Sequence, residues 1–167
     1  ASIILNMSGY MRSAMSTEEK EINLNEKIDA AIEIAILTSY NNDIKLDKNF
    51  SEVPPIKAKS EEIQQIFINL LTNAVQAMEG KGELRISTIG ENGNVRAIIR
   101  DTGPGIPKDY LPKIYDPFFT TKEQGRGTGL GLNIVHQLVV KYGGKIDVSS
   151  QEGEGTTFSL TFPASQI

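Results

Sequence analysis

Residues 98–135 read I-I-R-D-T-G-P-G-I-P-K-D-Y-L-P-K-I-Y-D-P-F-F-T-T-K-E-Q-G-R-G-T-G-L-G-L-N-I-V. An apolar run, typical of a strand, ends in Asp101 and a glycine turn. A loop bearing two aromatics follows, and a second glycine cluster then opens a helix. Glycines spaced in this way let the backbone approach a ligand closely and turn its N–H groups toward it. A helix N-terminus behind them favours phosphate. The stretch is therefore a candidate nucleotide site, with Asp101 at one end and residues 125–131 at the other.

The surrounding chain restricts the alternatives. Its 167 residues suit one domain. A hydrophobic content of 39% with 23% charged residues predicts a packed core rather than disorder. The net charge is −4 and no long basic run occurs, which argues against nucleic acid or an anionic membrane as the main partner. There is no cysteine and only one histidine, so thiolate and histidine-cluster metal sites are ruled out. No apolar run approaches the roughly 20 residues needed to span a bilayer, and no signal-peptide pattern occurs.

Outward from the glycine elements, the hydrophobic period predicts the remaining elements. Residues 2–16 place Ile4, Met7, Met11 and Met15 near helical spacing, interrupted by Gly9. They read as a surface helix or as the end of a longer one. Residues 21–24 form a short strand, and a helix carrying Ile28, Ala31, Ile32, Ala35 and Ile36 follows Asn25. Residues 43–50 alternate as a strand, and the two prolines keep 53–56 extended. Ser60 is read as the N-cap of a helix to about Met78, with Glu61 and Glu62 at its positive end. Its apolar stripe runs from Ile63 through Ile66, Phe67, Leu70, Leu71, Ala74 and Val75, and Gly80 and Gly82 end it. Residues 82–88 and 94–100 make a hairpin around Asn92-Gly93. A helix over 128–142 precedes a second hairpin, 145–150 with 156–162. This order predicts an α+β fold: a two-layer sandwich with about three helices on one face of a mixed, mostly antiparallel sheet.

Three constellations carry chemistry. Asp101, at a strand end beside Gly103 and Gly105, is placed to accept a hydrogen bond from an exocyclic amine, and the glycines leave room for a flat ring. Read alone, Asp101-Thr102-Gly103 is more often an ordinary turn. It is also the catalytic triplet of aspartic proteases, a reading disfavoured by the lack of a fitting apolar-apolar-Gly partner. The alternating glycines from Gly125 to Gly131 match neither G-x-G-x-x-G nor the P-loop pattern. Their persistence into an apolar helix is explained by N–H groups presented to phosphate, with Lys122 and Arg126 nearby as cations. Asn69 and Asn73, spaced i, i+4, share one helix face, where amide oxygens suit Mg²⁺. Of Phe118 and Phe119, one anchors the loop in the core and the other is free to close over a ligand. His136 reads as a surface or half-buried helix residue and is assigned no acceptor role.

Taken in order, these residues resemble the ATP-binding catalytic domain of two-component sensor histidine kinases, within the ATPase superfamily of gyrase B, Hsp90 and MutL. Asn69-Leu70-Leu71-Thr72-Asn73-Ala74 resembles the N box. Asp101-Thr102-Gly103-Pro104-Gly105-Ile106 resembles the first glycine box and Asp116-Pro117-Phe118-Phe119 the F box. The run from Gly125 to Leu132 resembles the second glycine box, and Gly153-x-Gly-Thr-Thr-Phe158 also fits. Ala77-Met78 and Phe-Phe-Thr-Thr-Lys122 are similar to the nitrogen-regulation variant. The likeness spans residues 21–163.

This resemblance implies the Bergerat ATP-binding fold, with ATP and Mg²⁺ bound. Asn73 would be the Mg²⁺ ligand. Asn69 stands where gyrase-like relatives carry a general-base glutamate, so hydrolysis by that route is not expected of an amide. Asp101, Gly103, Gly105 and Ile106 would form the adenine pocket. Gly127, Gly129 and Gly131 would contact the phosphates under a lid reaching back to about Phe118, mobile from Thr120 to Thr128 when empty, and Phe119, Thr121, Lys122, Arg126, Thr128 and Leu130 would complete the nucleotide site. Residues 1–16 would be the end of a dimerisation helix or linker and 17–167 the catalytic domain. The partners implied are a histidine-bearing dimerisation domain in a homodimeric parent and a response regulator, with no nucleic acid and no direct membrane contact. A cytoplasmic location is implied, whether or not the parent is membrane-tethered. A nucleotide-binding docking module without turnover and an anti-sigma-type serine kinase are the alternatives.

Overall fold

The computed structural model describes residues 18–39, 43–120 and 131–165. Strands β1 (Lys20–Ile22), β2 (Asp43–Phe50), β3 (Ile56–Ala58), β4 (Lys81–Glu91), β5 (Asn94–Asp101), β6 (Lys145–Gln151) and β7 (Gly155–Pro163) alternate with three α-helices. These are α1 (Leu24–Leu37), α2 (Ser60–Ala77) and α3 (Gly131–Lys141), and a 3₁₀ turn spans Leu111–Lys113. The main sheet is five-stranded in the order β2-β4-β5-β7-β6, and β1 pairs with β3 in a separate two-stranded sheet. β2 runs parallel to β4, while β4–β5, β5–β7 and β6–β7 are antiparallel.

Alternation along the strands separates core from solvent. Leu84, Ile86, Val95, Ala97, Ile99, Phe158, Leu160 and Phe162 are buried on one face. Against them lie Leu24, Ile28, Ala31, Ile32 and Ala35 of α1 and the predicted stripe of α2, with Val135 and Val139 of α3. Each fully buried Leu, Ile or Phe contributes about 1.5–3 kcal/mol of transfer free energy, so α2, with five such side chains at 0–1% exposure (Ile63, Ile66, Phe67, Leu70 and Leu71), is the central pillar. It packs on α1 on one side and α3 on the other. A further tie binds the start of α2 to the end of α3. Tyr142 Oη donates to Glu62 Oε2 at 2.8 Å and Lys141 Nζ reaches Glu62 Oε1 at 2.9 Å. Burial opposes ionisation of Glu62, but these partners and the charges of Lys141 and Lys59 hold its carboxyl below the usual range.

The fold class is as expected, and the differences are local. α1 starts earlier than the sequence reading, because Asn23 rather than Asn25 caps it, its Oδ1 accepting from Asn25 N–H at 2.9 Å. Ser60 is the first helical residue of α2 and not its N-cap. Lys59 occupies that position without a side-chain cap bond. α2 ends when Glu79 (φ 54°) and Gly80 (φ 76°) turn left-handed, and Gly80 N–H returns to Val75 O at 3.2 Å. In the β4–β5 hairpin, Asn92 and Gly93 have φ of 54° and 76°, the two positive values that a tight type I′ turn requires. Residues 1–16, with their expected helix, lie outside the described residues.

The β6–β7 hairpin offers a test of close packing. Gly153 and Gly155 are both left-handed, with φ of 82° and 106°. A Cβ on Gly153 would meet nothing within 4 Å, whereas one on Gly155 would overlap the Asp101 carbonyl oxygen. Gly155→Ala is expected to cost about 3 kcal/mol or more, and Gly153→Ala only about 1–2 kcal/mol. Equal losses in urea unfolding would contradict this packing.

Candidate functional site

The site is built along one stripe of α2. Gln65, Asn69, Asn73 and Ala77 recur at intervals of four, so they stack on one face and span about 18 Å of helix. At the C-terminal end of the stripe, Ala77 abuts the glycine turn after β5. A Cβ on Gly103 would lie 3.3 Å from Ala77 Cβ and 3.0 Å from Asp101 Oδ1. Further along, Asn73 Nδ2 lies 3.9 Å from where a Cβ on Gly131 would stand. Asn69 Nδ2 donates to the Gly131 carbonyl at 3.3 Å, and Asn69 Oδ1 accepts from Gln65 Nε2 at 2.9 Å. The first glycine turn and the start of α3 are thus spaced along one rigid helix.

Asp101 is 5% exposed. Its Oδ1 accepts from Gly103 N–H at 2.9 Å. Burial pushes its carboxyl above the ordinary range, against the lowering effect of the Gly103 and Thr156 backbone N–H groups. Behind it, the loop through residue 106 is locked to the β6–β7 hairpin. Gly105 has φ 77°, and a Cβ there would overlap Gln151 O. Ile106 N–H donates to Ser150 Oγ at 2.7 Å, and Ser150 Oγ lies 2.8 Å from Thr156 Oγ1. Gly153 N–H reaches Pro104 O at 2.8 Å. On the other side, Thr102 Oγ1 accepts from Glu83 N–H at 2.9 Å and donates to Met78 Sδ at 3.7 Å. The turn is fixed on both flanks, which leaves the Asp101 carboxylate a preset acceptor.

The aromatic loop divides as the residues suggested. Phe119 packs against the core, with Tyr110 edge-on to it at 5.6 Å between ring centres. Phe118 is 74% exposed with φ 66°. Tyr115 lies against His136 of α3, ring centres 5.0 Å apart, and its buried hydroxyl is pushed up to about 12 by desolvation and by Asp147. His136 is exposed on α3, as read. Thr121, Lys122, Arg126, Gly127, Thr128, Gly129 and Leu130, and with them the expected mobile lid beyond Thr120, lie outside the described residues. A cavity of about 290 Å³ lined by Ile56, Tyr142, Phe162 and Ser165 lies at the β1–β3 seam and contains none of the motif residues.

Gln65, Ser150 and Tyr115 were not singled out in the sequence. Their roles depend on partners in other elements, which no local pattern announces. Thr156 carried a signal only as part of Gly153-x-Gly-Thr-Thr-Phe158.

Because burial raises the Asp101 pKa, its ionisation weakens the folded state. Its contribution to stability is fully present below the ordinary aspartate range and is lost as pH rises through the raised value. Wild type should therefore gain stability relative to Asp101→Asn as pH falls through that interval. A difference that is flat with pH, or of opposite slope, would contradict the assignment.

Comparison with known proteins places the fold in a family. Residues 58–166 match the family described as histidine kinase-, DNA gyrase B-, and HSP90-like ATPase. The sensor histidine kinase ZraS of Escherichia coli (strain K12) is 36% identical over 143 residues, covering 85% of this chain and 30% of that protein. Sporulation kinase E of Bacillus subtilis (strain 168) is 33% identical, covering 92% of this chain and 20% of its own length. The chain thus spans less than a third of these relatives. The nucleotide-free catalytic domain of histidine kinase ThkA superposes with a TM-score of 0.77 at 34% identity, covering 88% of this chain and 96% of that one. The chain belongs to the family of histidine kinase-, DNA gyrase B- and HSP90-like ATPases, as a catalytic domain of the sensor histidine kinase kind.

Proposed function

We propose that this domain binds ATP with Mg²⁺ and, within a longer protein, passes the γ-phosphoryl to a histidine on a dimerisation domain for relay to a response-regulator aspartate. The observation that carries this reading is the α2 stripe, with Ala77 against the Asp101–Gly103 turn and Asn69 and Asn73 against the start of α3. Adenine would donate its amine to Asp101 beside Gly103, Gly105 and Ile106. The phosphates would lie toward Gly131 and the stretch before it, with Thr121, Lys122, Arg126, Gly127, Thr128, Gly129 and Leu130 contributing and Phe119 anchoring the loop between.

The donor set fits a magnesium ion carried with the nucleotide. Mg²⁺ takes hard oxygen ligands, keeps several waters and is usually bound with substrate phosphates. Asn73 is the amide assigned to the ion, on the likeness of Asn69-Leu70-Leu71-Thr72-Asn73-Ala74 to the N box. The ion would neutralise phosphate charge, and the chain's own part is to position and to exclude water. Neither asparagine can remove a proton, so the domain is not expected to hydrolyse ATP rapidly by that route.

The single histidine, His136, stacks on Tyr115 and is not proposed as acceptor. The acceptor would come from a dimerisation domain, with residues 1–16 as the end of its second helix. Because the reaction draws on ATP, the domain is placed in the cytoplasm. No helix among the described residues is long and apolar enough to cross a membrane.

Calorimetry with ATP and Mg²⁺ tests the binding. Wild type should bind, and Asp101→Asn should weaken binding at least about tenfold, or about 1.4 kcal/mol. An unchanged affinity would overturn the adenine assignment. Labelled phosphate on an added histidine-bearing helical hairpin, labile in acid, is expected of a histidine kinase. Acid-stable phosphoserine on a partner would instead favour the anti-sigma-type reading, and binding without transfer the docking reading.

A further inference from the structure

Two side-chain relays of the same design meet the first turn of α3. On α2, Gln65 Nε2 donates to Asn69 Oδ1 at 2.9 Å, and Asn69 Nδ2 donates to Gly131 O at 3.3 Å. On α3 itself, Gln137 Nε2 donates to Asn133 Oδ1 at 3.2 Å, and Asn133 Nδ2 donates to Tyr115 O at 2.9 Å. In each, a glutamine four residues away on the same helix orients an asparagine, and the asparagine reaches a main-chain carbonyl on another element. The direction is forced. A carbonyl can only accept, so each asparagine must turn its nitrogen to it. Its oxygen then faces the glutamine, which must donate.

The consequences are mechanical. The Gly131 carbonyl has a second lone pair free to take the Asn69 bond alongside its helical one. Through that bond the first residue of α3 is held to α2. Through Asn133, the same turn of α3 is held to the loop that carries Tyr115 and Phe119. Gln65 and Gln137 are exposed and touch neither carbonyl, so each acts only through its asparagine. Gln65, Asn133 and Gln137 belong to none of the motifs read in the sequence.

We propose that Gln65 and the Asn133–Gln137 pair are positioning residues that set the start of α3 between α2 and the aromatic loop, and so set the phosphate end of the site. The proposal rests on the nucleotide reading above. It makes the phosphate end separable from the base end, because Asp101 and its turn are fixed by Ser150, Thr156 and Thr102, which share no bond with either relay.

The test compares ATP with adenosine, both by calorimetry on the full chain, in Gln65→Met and Asn133→Ala. Both substitutions are neutral, so charge repulsion of phosphate is not introduced. ATP affinity should fall about fivefold in each, while adenosine affinity stays within about twofold. In an Asn69→Ala background, Gln65→Met should have no further effect, since Gln65 acts through Asn69. Hydrogen exchange of residues 131–135 in the nucleotide-free protein should quicken in Gln65→Met, an independent readout. Equal losses for adenosine and ATP, additive losses in the double variant, or unchanged exchange and affinity would each overturn the proposal. If wild type bound neither adenosine nor ATP, the nucleotide reading itself would fall first.

Discussion

The structure depends on a buried carboxylate set against a backbone with no room for a side chain. Asp101 ends β5 at 5% exposure, and Gly155 of β7 sits so close to its carbonyl oxygen that a Cβ would overlap it. That approach lets β5 and β7 stay paired from Asn94↔Pro163 to Asp101↔Thr156. It also brings the Thr156 N–H to the Asp101 carboxyl. A charge in such a place is costly unless hydrogen bonds meet it. Two N–H donors meet part of the requirement, and the raised pKa records what remains. A ligand amine would supply a further donor, so binding relieves the cost that folding incurs there.

The remaining architecture holds that carboxylate at a fixed distance from a second locus. α2 is the connection. Its apolar stripe is locked into the core and fixes its rotation, so the stripe flanking it must present Gln65, Asn69, Asn73 and Ala77 in line. Ala77 is small enough to let Gly103 come close. Asn69 and Asn73 then lie against the start of α3, whose other end is tied back to α2 by Glu62, Lys141 and Tyr142. Each end of the α2–α3 pair carries polar ties, with Leu70, Leu71, Val135 and Val139 buried between them.

Much of this was legible in the sequence. The period of α2, the Asn92-Gly93 hairpin and the glycines around Asp101 are local signals, and the elements formed where those signals stood. The α+β class followed from their order. The parallel pairing of β2 with β4 was not legible, because strands 43–50 and 81–91 meet only after α2 crosses over between them. Helix starts were read one or two residues late, since nothing local decides between Asn23 and Asn25 before α1 and the Asn23 Oδ1 bond does. At the site, Asp101, Gly103 and Gly105 were picked out by their order with the other motifs, since the triplet read alone is more often an ordinary turn. Ser150 could not be read, because its meaning comes from Ile106 on another element, and Thr156 showed only within Gly153-x-Gly-Thr-Thr-Phe158.

The central claim is that one helix spaces two ends of a single nucleotide site. Amide chemical-shift mapping with a non-hydrolysable ATP analogue and Mg²⁺ tests it most directly. Large shifts are expected both at Gly103 and Thr156 and at residues 131–133, with smaller ones along the stripe of α2 between them. Shifts confined to one end, or centred on the cavity beside Tyr142 and Ser165, would contradict it.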